Sequence, residues 1–332
     1  MINESRVEAM ERRAKHSWVW EIGRVLGPPR VTEWFRLAAP GSEMGVLVTH
    51  EYHDGTPAAA KGGGLGATAI RFLPRRPPSD APGACPAVAH MVFSRRILGG
   101  DSLYYGWAQE DRTLFCTTAL PALPCGAQMQ HTALHEVPVL IDTRAFLTEA
   151  DEGGVREAGE RPPPRFERLP RPAPVRLLAA SAPRLNTRSH VELHKRIMAW
   201  VELAVRAFLL AREHGVEVVV SGAWGAEAGG CPPEVSAAVQ IYAAKRAAIG
   251  ELRLCGVEEP GRATLDAIGR AVSASAAGGR SGDSGRSVEA FVDAMVDLCR
   301  LSAKLSAGTK AKARGAYAPA SFSLTRRPPS GS

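Results

Sequence analysis

Hydrophobic periodicity along the chain alternates between two periods, which reads as strands interleaved with helices. Short apolar runs predict strands over 44–49, 87–93, 137–141, 175–180, 216–220 and 251–257. Between them, apolar residues recur every three to four positions. That spacing predicts helices over 108–120, over 232–247, around 263–274 and over 287–305, with a first helix from Ser5 to about Val25. The best-marked helix opens at Ser189, with Glu192 three residues on as a capping box. Its apolar stripe runs through Leu193, Ile197, Trp200, Val201, Ala204, Val205 and Phe208, and Gly215 stands at its stop.

This alternation predicts an α/β fold, with helices packed on a mostly parallel or mixed sheet. Two stretches break the pattern. Residues 56–86 are rich in Gly, Pro and Arg, and residues 151–174 are rich in proline and charge. Both read as inserts that loop out of the core. The expected organisation is therefore one domain over 1–306 with inserts near 56–86 and 151–174. A flexible basic tail, 307–332, carries Lys310, Lys312, Arg314, Arg326 and Arg327.

Charge and cysteine usage narrow the class. The net charge of +7, from 41 basic and 34 acidic residues, favours anionic ligands without demonstrating nucleic-acid binding. No stretch is long and apolar enough for a membrane span, and the N-terminus has no signal-type apolar core. An intracellular, cytoplasmic chain with no membrane partner is expected. The six cysteines are scattered with no C-x-x-C pair, which argues against a zinc ribbon and a redox dithiol. The pairs His131/His135 and His190/His194 have metal-ligand spacing on a helix, yet no third ligand accompanies either. Neither a metal nor a cofactor is expected. Gly282-Asp-Ser-Gly285 mimics a serine nucleophile site but lies in a Gly/Ser-rich linker.

Two segments carry candidate chemistry. The run Val216–Val220 leads into Gly222-Ala223-Trp224-Gly225-Ala226-Glu227-Ala228-Gly229-Gly230, followed by Cys231 and a Pro-started helix. In open α/β sheets ligands sit beyond the carboxyl ends of strands, and a helix N-terminus there favours an anion. Nearly bare backbone lets a phosphate approach, whereas Glu227 would repel it unless turned away. A Gly-rich turn without a ligand is the competing reading. The other segment is Gly99-Gly100-Asp101, seven residues, then Gln109-Glu110-Asp111. Two adjacent carboxylates can divide the work of a glycosidase, because mutual repulsion keeps one protonated as the acid. A polar helix start, with acidic groups at the positive end of the dipole, is the competing reading here.

Taken together, the two segments resemble the microbial-type poly(ADP-ribose) glycohydrolases, a branch of the macrodomain fold. The first block reads VAHMVFSRRILGGDSLYYGWAQEDRTLFCTTAL (88–120) and the second VEVVVSGAWGAEAGGCPPEVSA (216–237). The resemblance implies a macrodomain-like three-layer α/β/α sandwich with a mixed central sheet. It also implies cleavage of poly(ADP-ribose) O-glycosidic bonds by acid catalysis, releasing ADP-ribose, with ADP-ribose or ADP-ribosylated protein as the partner. Carried over residue by residue, Gly99, Gly100 and Asp101 form the catalytic turn with Gln109 behind it. Glu110 orients the ribose, Asp111 stands in for the general acid, and residues 222–230 wrap the diphosphate. This chain departs from the pattern at Asp101 and Gly229, which replace a glycine and an aromatic, and at Asp111, one methylene shorter than the usual glutamate. Those departures motivate the alternative of a catalytically inactive relative that reads ADP-ribose or serves as a scaffold. A nucleic-acid partner bound through the basic tail ranks behind both.

Overall fold

The computed structural model describes residues 48–51, 68–73, 87–94, 109–117, 134–149, 166–226, 230–277 and 288–303. Its strands are β1 (Val48–Glu51), β2 (Ala69–Leu73), β3 (Val88–Phe93), β4 (Val139–Glu149), β5 (Phe166–Ala180), β6 (Val218–Ser221) and β7 (Glu251–Cys255). Its helices are α1 (Gln109–Phe115), α2 (His190–Glu213), α3 (Pro233–Arg246), α4 (Arg262–Ala277) and a last helix over 288–303. The strands form one sheet in the order β1-β4-β5-β3-β6-β7-β2. From β5 to β2 every pairing is parallel, and β1-β4-β5 is antiparallel. The sheet is therefore mixed, as expected.

Both faces of the central strands are buried. On one face α2, α3, α4 and the 288–303 helix share a core with Met91, Leu178, Val219 and Leu252. Trp200, Phe208 and Tyr242 fill it, and the Tyr242 and Phe291 rings stack with centroids 4.7 Å apart. On the other face Val92, Ile141, Leu177 and Ala179 are buried, as are Leu114 of α1 and Leu134. The described residues thus form the expected three-layer α/β/α sandwich.

The α2 helix shows how the local code works. The Ser189 hydroxyl accepts from the Glu192 N–H at 3.3 Å, satisfying one of the free donors of the first turn. The reciprocal half of the capping box does not form. The Glu192 carboxylate instead takes the Arg196 Nε at 2.7 Å, and the Ser189 N–H donates to the Thr187 hydroxyl at 3.3 Å. Gly215, at φ +75°, ends the helix.

Two expected inserts hold strands of the sheet. Residues 69–73, inside the 56–86 stretch, form the edge strand β2, paired in parallel with β7. Ile70 and Phe72 pack on the core, while Arg71 faces outward and pairs with Glu251 at 2.7 Å. Five residues of alternation between Gly- and Pro-rich flanks leave too short a signal to separate from a loop. In the 151–174 stretch, β5 already begins at Phe166 and runs fifteen residues along β4. Two of its three prolines are accommodated by a bulge, and Pro174 pairs in register with Arg144. Ala145 opposes Ala173 and Leu147 opposes Arg168, so one residue of β4 faces four of β5 (169–172). Pro170 and Pro172 fall inside that bulge, where fewer ladder donors are required. The predicted helix over 108–120 ends early. Thr117 bridges to Ala145 and the Cys116 carbonyl accepts from the Leu147 N–H at 3.3 Å. The predicted first helix and the basic tail lie outside the described residues.

Candidate active site

The two motif segments end on neighbouring parallel strands. β3 pairs with β6 from Val88↔Val218 to His90↔Val220, so both carboxyl ends lie on the same edge of the sheet. That edge is where open α/β sheets accept ligands.

The loop after β6 is fastened from below by α3. Gln240, fully buried, accepts from the Ser221 hydroxyl through Oε1. Its Nε2 donates to the Gly222 carbonyl at 2.9 Å and reaches the Ser236 carbonyl and hydroxyl, both at 3.2 Å. The Ser236 hydroxyl donates to the Trp224 carbonyl at 2.8 Å. Two polar side chains one helical turn apart thus hold the loop at Ser221, Gly222 and Trp224. Buried polar groups satisfied in this way rigidify what they touch. Sequence reasoning missed both residues. The available signal was two polar positions, i and i+4, inside the otherwise apolar run 235–244.

The glycines of this loop answer to tight space and to backbone shape. A Cβ on Gly222 would lie 3.1 Å from the Cys255 carbonyl oxygen and 3.5 Å from the Phe93 ring. Gly225, at φ +83°, would place a Cβ 2.8 Å from the Ala182 Cβ. Gly230 is also left-handed, at φ +65°. Trp224 is 1% exposed and meets Trp200 edge-on, with centroids 5.5 Å apart and planes at 73°. Its ring anchors the loop in the core rather than lining the surface. Ala223 and Ala226 are half-buried, and the Ala226 N–H returns to the Ala223 carbonyl at 3.0 Å. Glu227, Ala228 and Gly229 lie outside the described residues.

The α3 helix that follows starts at Pro233 behind Pro232, with no side chain capping it. Its first-turn carboxylate, Glu234, serves another helix. Oε1 accepts from the Gly261 N–H at 3.0 Å and the Thr264 hydroxyl at 2.8 Å, so Glu234 caps the start of α4.

At the end of β3, Gln109 joins helix to strand. Its Oε1 accepts from the Phe93 N–H at 2.9 Å, and its Nε2 donates to the Met91 carbonyl at 2.8 Å and to the Thr113 hydroxyl at 3.2 Å. The side-chain amide is engaged by the fold itself. Glu110, the next residue, is 4% exposed in the first turn of α1, and Asp111 continues the helix. Gly99, Gly100 and Asp101 lie outside the described residues. Phe93 is common to both segments, since its N–H is held by Gln109 and its ring lies against Gly222.

Cys231 closes the loop, donating to the Pro232 carbonyl at 3.3 Å. Burial pushes its thiol well above the usual range, and the nearby Cys299 adds to the shift. Burial raises the Cys299 thiol to about 11. Both are protonated at neutral pH and make poor nucleophiles. Among the described residues no group of three or more His, Cys, Asp or Glu is placed to hold a metal. His194 instead pairs with Asp293 at 3.3 Å. No described helix is long and apolar enough to cross a membrane.

In structure the chain is similar to solved microbial poly(ADP-ribose) glycohydrolases. The enzyme from Thermomonospora curvata matches at 19% identity and a TM-score of 0.46, over 72% of this chain and 88% of that one. Its complex with the inhibitor ADP-HPD matches at 20% identity and a TM-score of 0.46, over the same shares of 72% and 88%. The Deinococcus radiodurans enzyme in complex with ADP-ribose matches at 18% identity and a TM-score of 0.45, over 62% of this chain and 85% of that one. No protein-family model and no curated protein matches the sequence.

Proposed function

We propose that this chain is an ADP-ribose-directed glycohydrolase. In this reading Glu110 orients the terminal ribose and Asp111 donates a proton to the leaving glycosidic oxygen. The C–O bond then breaks through an oxocarbenium-like sugar, and water adds to the anomeric carbon. Residues 222–230 cradle the diphosphate with backbone N–H groups.

What supports the reading is the convergence of the two segments on Phe93. Gln109 bonds its backbone and Gly222 lies against its ring, so the acid-bearing helix and the small-residue loop start from one point of the sheet edge. The loop's tight contacts and left-handed glycines favour backbone over side chain at its surface. A buried carboxylate beside such an edge suits a group that must meet a sugar away from bulk water.

Turnover of poly(ADP-ribose) and of ADP-ribosylated protein tests this directly. Activity in the wild type, lost in Glu110→Gln and Asp111→Asn, is the expected outcome. Unchanged activity in both variants contradicts the assignment. The inactive-reader alternative draws on Asp101 and on the shorter Asp111, since a displacement of around 1 Å at a catalytic group costs on the order of a hundredfold in rate. It predicts ADP-ribose binding without turnover, and turnover gained in Asp111→Glu.

A further inference from the structure

The carboxyl end of β3 holds a polar group that the fold leaves unused. Ser94 is 6% exposed, and its hydroxyl is sealed from solvent without a hydrogen-bond partner. Its backbone N–H is employed, donating to the Val92 carbonyl at 2.9 Å and the Ala180 carbonyl at 3.2 Å. Native proteins rarely leave a buried hydroxyl unpaired, because desolvating it without a partner is costly. Such a group needs an explanation, and a partner that arrives with a ligand is one.

Other buried polar atoms without a partner have different surroundings. The Trp224 indole, in the loop after β6, meets the Trp200 indole edge-on in the core, Arg206 belongs to α2, and Thr68 precedes the outer strand β2. Ser94 differs by position. It follows Phe93 as Glu110 follows Gln109, and Phe93 and Gln109 are bonded to each other. Ser94 also ends the strand flanked by β5 on one side and by β6, with its loop, on the other.

We propose that Ser94 is a ligand-positioning residue whose hydroxyl pairs with a hydroxyl of the terminal ribose of ADP-ribose. The assignment rests on the ADP-ribose reading of the site. Because the hydroxyl is covered in the free protein, the pairing forms as the ligand opens the strand end. An apolar replacement therefore removes a cost from the free protein and a contact from the complex.

The test is calorimetric titration of the full-length wild type and Ser94→Ala with ADP-ribose and with ADP, which lacks the terminal ribose. Melting temperatures are measured on the unliganded proteins. Expected are a roughly tenfold loss of ADP-ribose affinity, ADP affinity within about twofold, and an unliganded melting temperature at or above wild type. Equal losses for both ligands, or no loss for ADP-ribose, overturn the Ser94 assignment alone. A wild type that binds neither ligand overturns the ADP-ribose reading and this inference with it.

Discussion

Gln109 grips the peptide units on both sides of Val92, taking the Phe93 N–H at 2.9 Å and giving to the Met91 carbonyl at 2.8 Å. A side-chain amide that pairs with one N–H and one C=O imitates a neighbouring strand, so α1 is docked as though it extended the sheet. The residue after it, Glu110, inherits that placement. Replacing Gln109 by Ala strands both backbone groups and should cost about 1–3 kcal/mol, read from urea denaturation. Gln109→Glu should also destabilise, because a carboxylate cannot donate to Met91. A Gln109→Ala protein as stable as wild type contradicts the clamp.

Gln240 makes the comparable argument under the loop. Gln240→Leu keeps the volume and leaves the Ser221 hydroxyl unpaired in the core, while the Gly222 carbonyl keeps only the Trp224 N–H at 2.8 Å. A loss of about 1–3 kcal/mol is expected from one such orphaned group. Amide hydrogen exchange should rise across 222–226 beyond what the global loss explains. Exchange that rises uniformly would mean the network holds the fold without organising the loop.

Gly225 should resist even alanine. Its φ of +83° costs a side-chain-bearing residue about 1–2 kcal/mol, and the new Cβ would sit 2.8 Å from the Ala182 Cβ. The two costs separate in a double-mutant cycle. Ala182→Gly should recover the steric part of Gly225→Ala and leave the backbone part, giving a coupling well outside the error of additivity. Strictly additive effects would contradict the contact.

The buried thiols predict a pH dependence. Burial raises the Cys231 and Cys299 pKa above the ordinary thiol value, so the unfolded chain releases those protons first. Their contribution is fully present below about pH 9 and falls above it, the Cys299 part being lost as pH rises through about 11 and the Cys231 part at higher pH still. The melting temperature should fall over that window, and a Cys231→Ala/Cys299→Ala double variant should show a flatter decline. Below pH 8 neither thiol should react with iodoacetamide until the protein unfolds. Fast labelling of Cys231 or Cys299 in the native state, located by peptide mapping, would contradict their burial.

What the sequence disclosed follows from how long each pattern runs. The α2 stripe spans twenty-four residues with a cap and a stop, and β6 with its loop and α3 is marked by an apolar run, small residues and prolines. These elements were legible because several signals agree. β2 is five residues long between Gly/Pro-rich flanks, and β5 carries prolines that a bulge accommodates, so composition pointed to loops where pairing partners decide otherwise. At the site, the strand, small-residue loop and helix after Val216 could be read from the motif, but the adjacency of β3 and β6 could not, because strand order rests on long-range pairing. The roles of Ser236, Gln240 and Glu234 could not, because each acts on a partner at least twelve residues away.

The most direct measurement is calorimetric titration of the full-length protein with ADP-ribose, with AMP as the control. Micromolar binding of ADP-ribose that AMP does not match, weakened in Gly225→Ala, is the expected result. Absence of binding to ADP-ribose, or equal binding of AMP, would contradict a diphosphate-ribose site at the β3 and β6 strand ends.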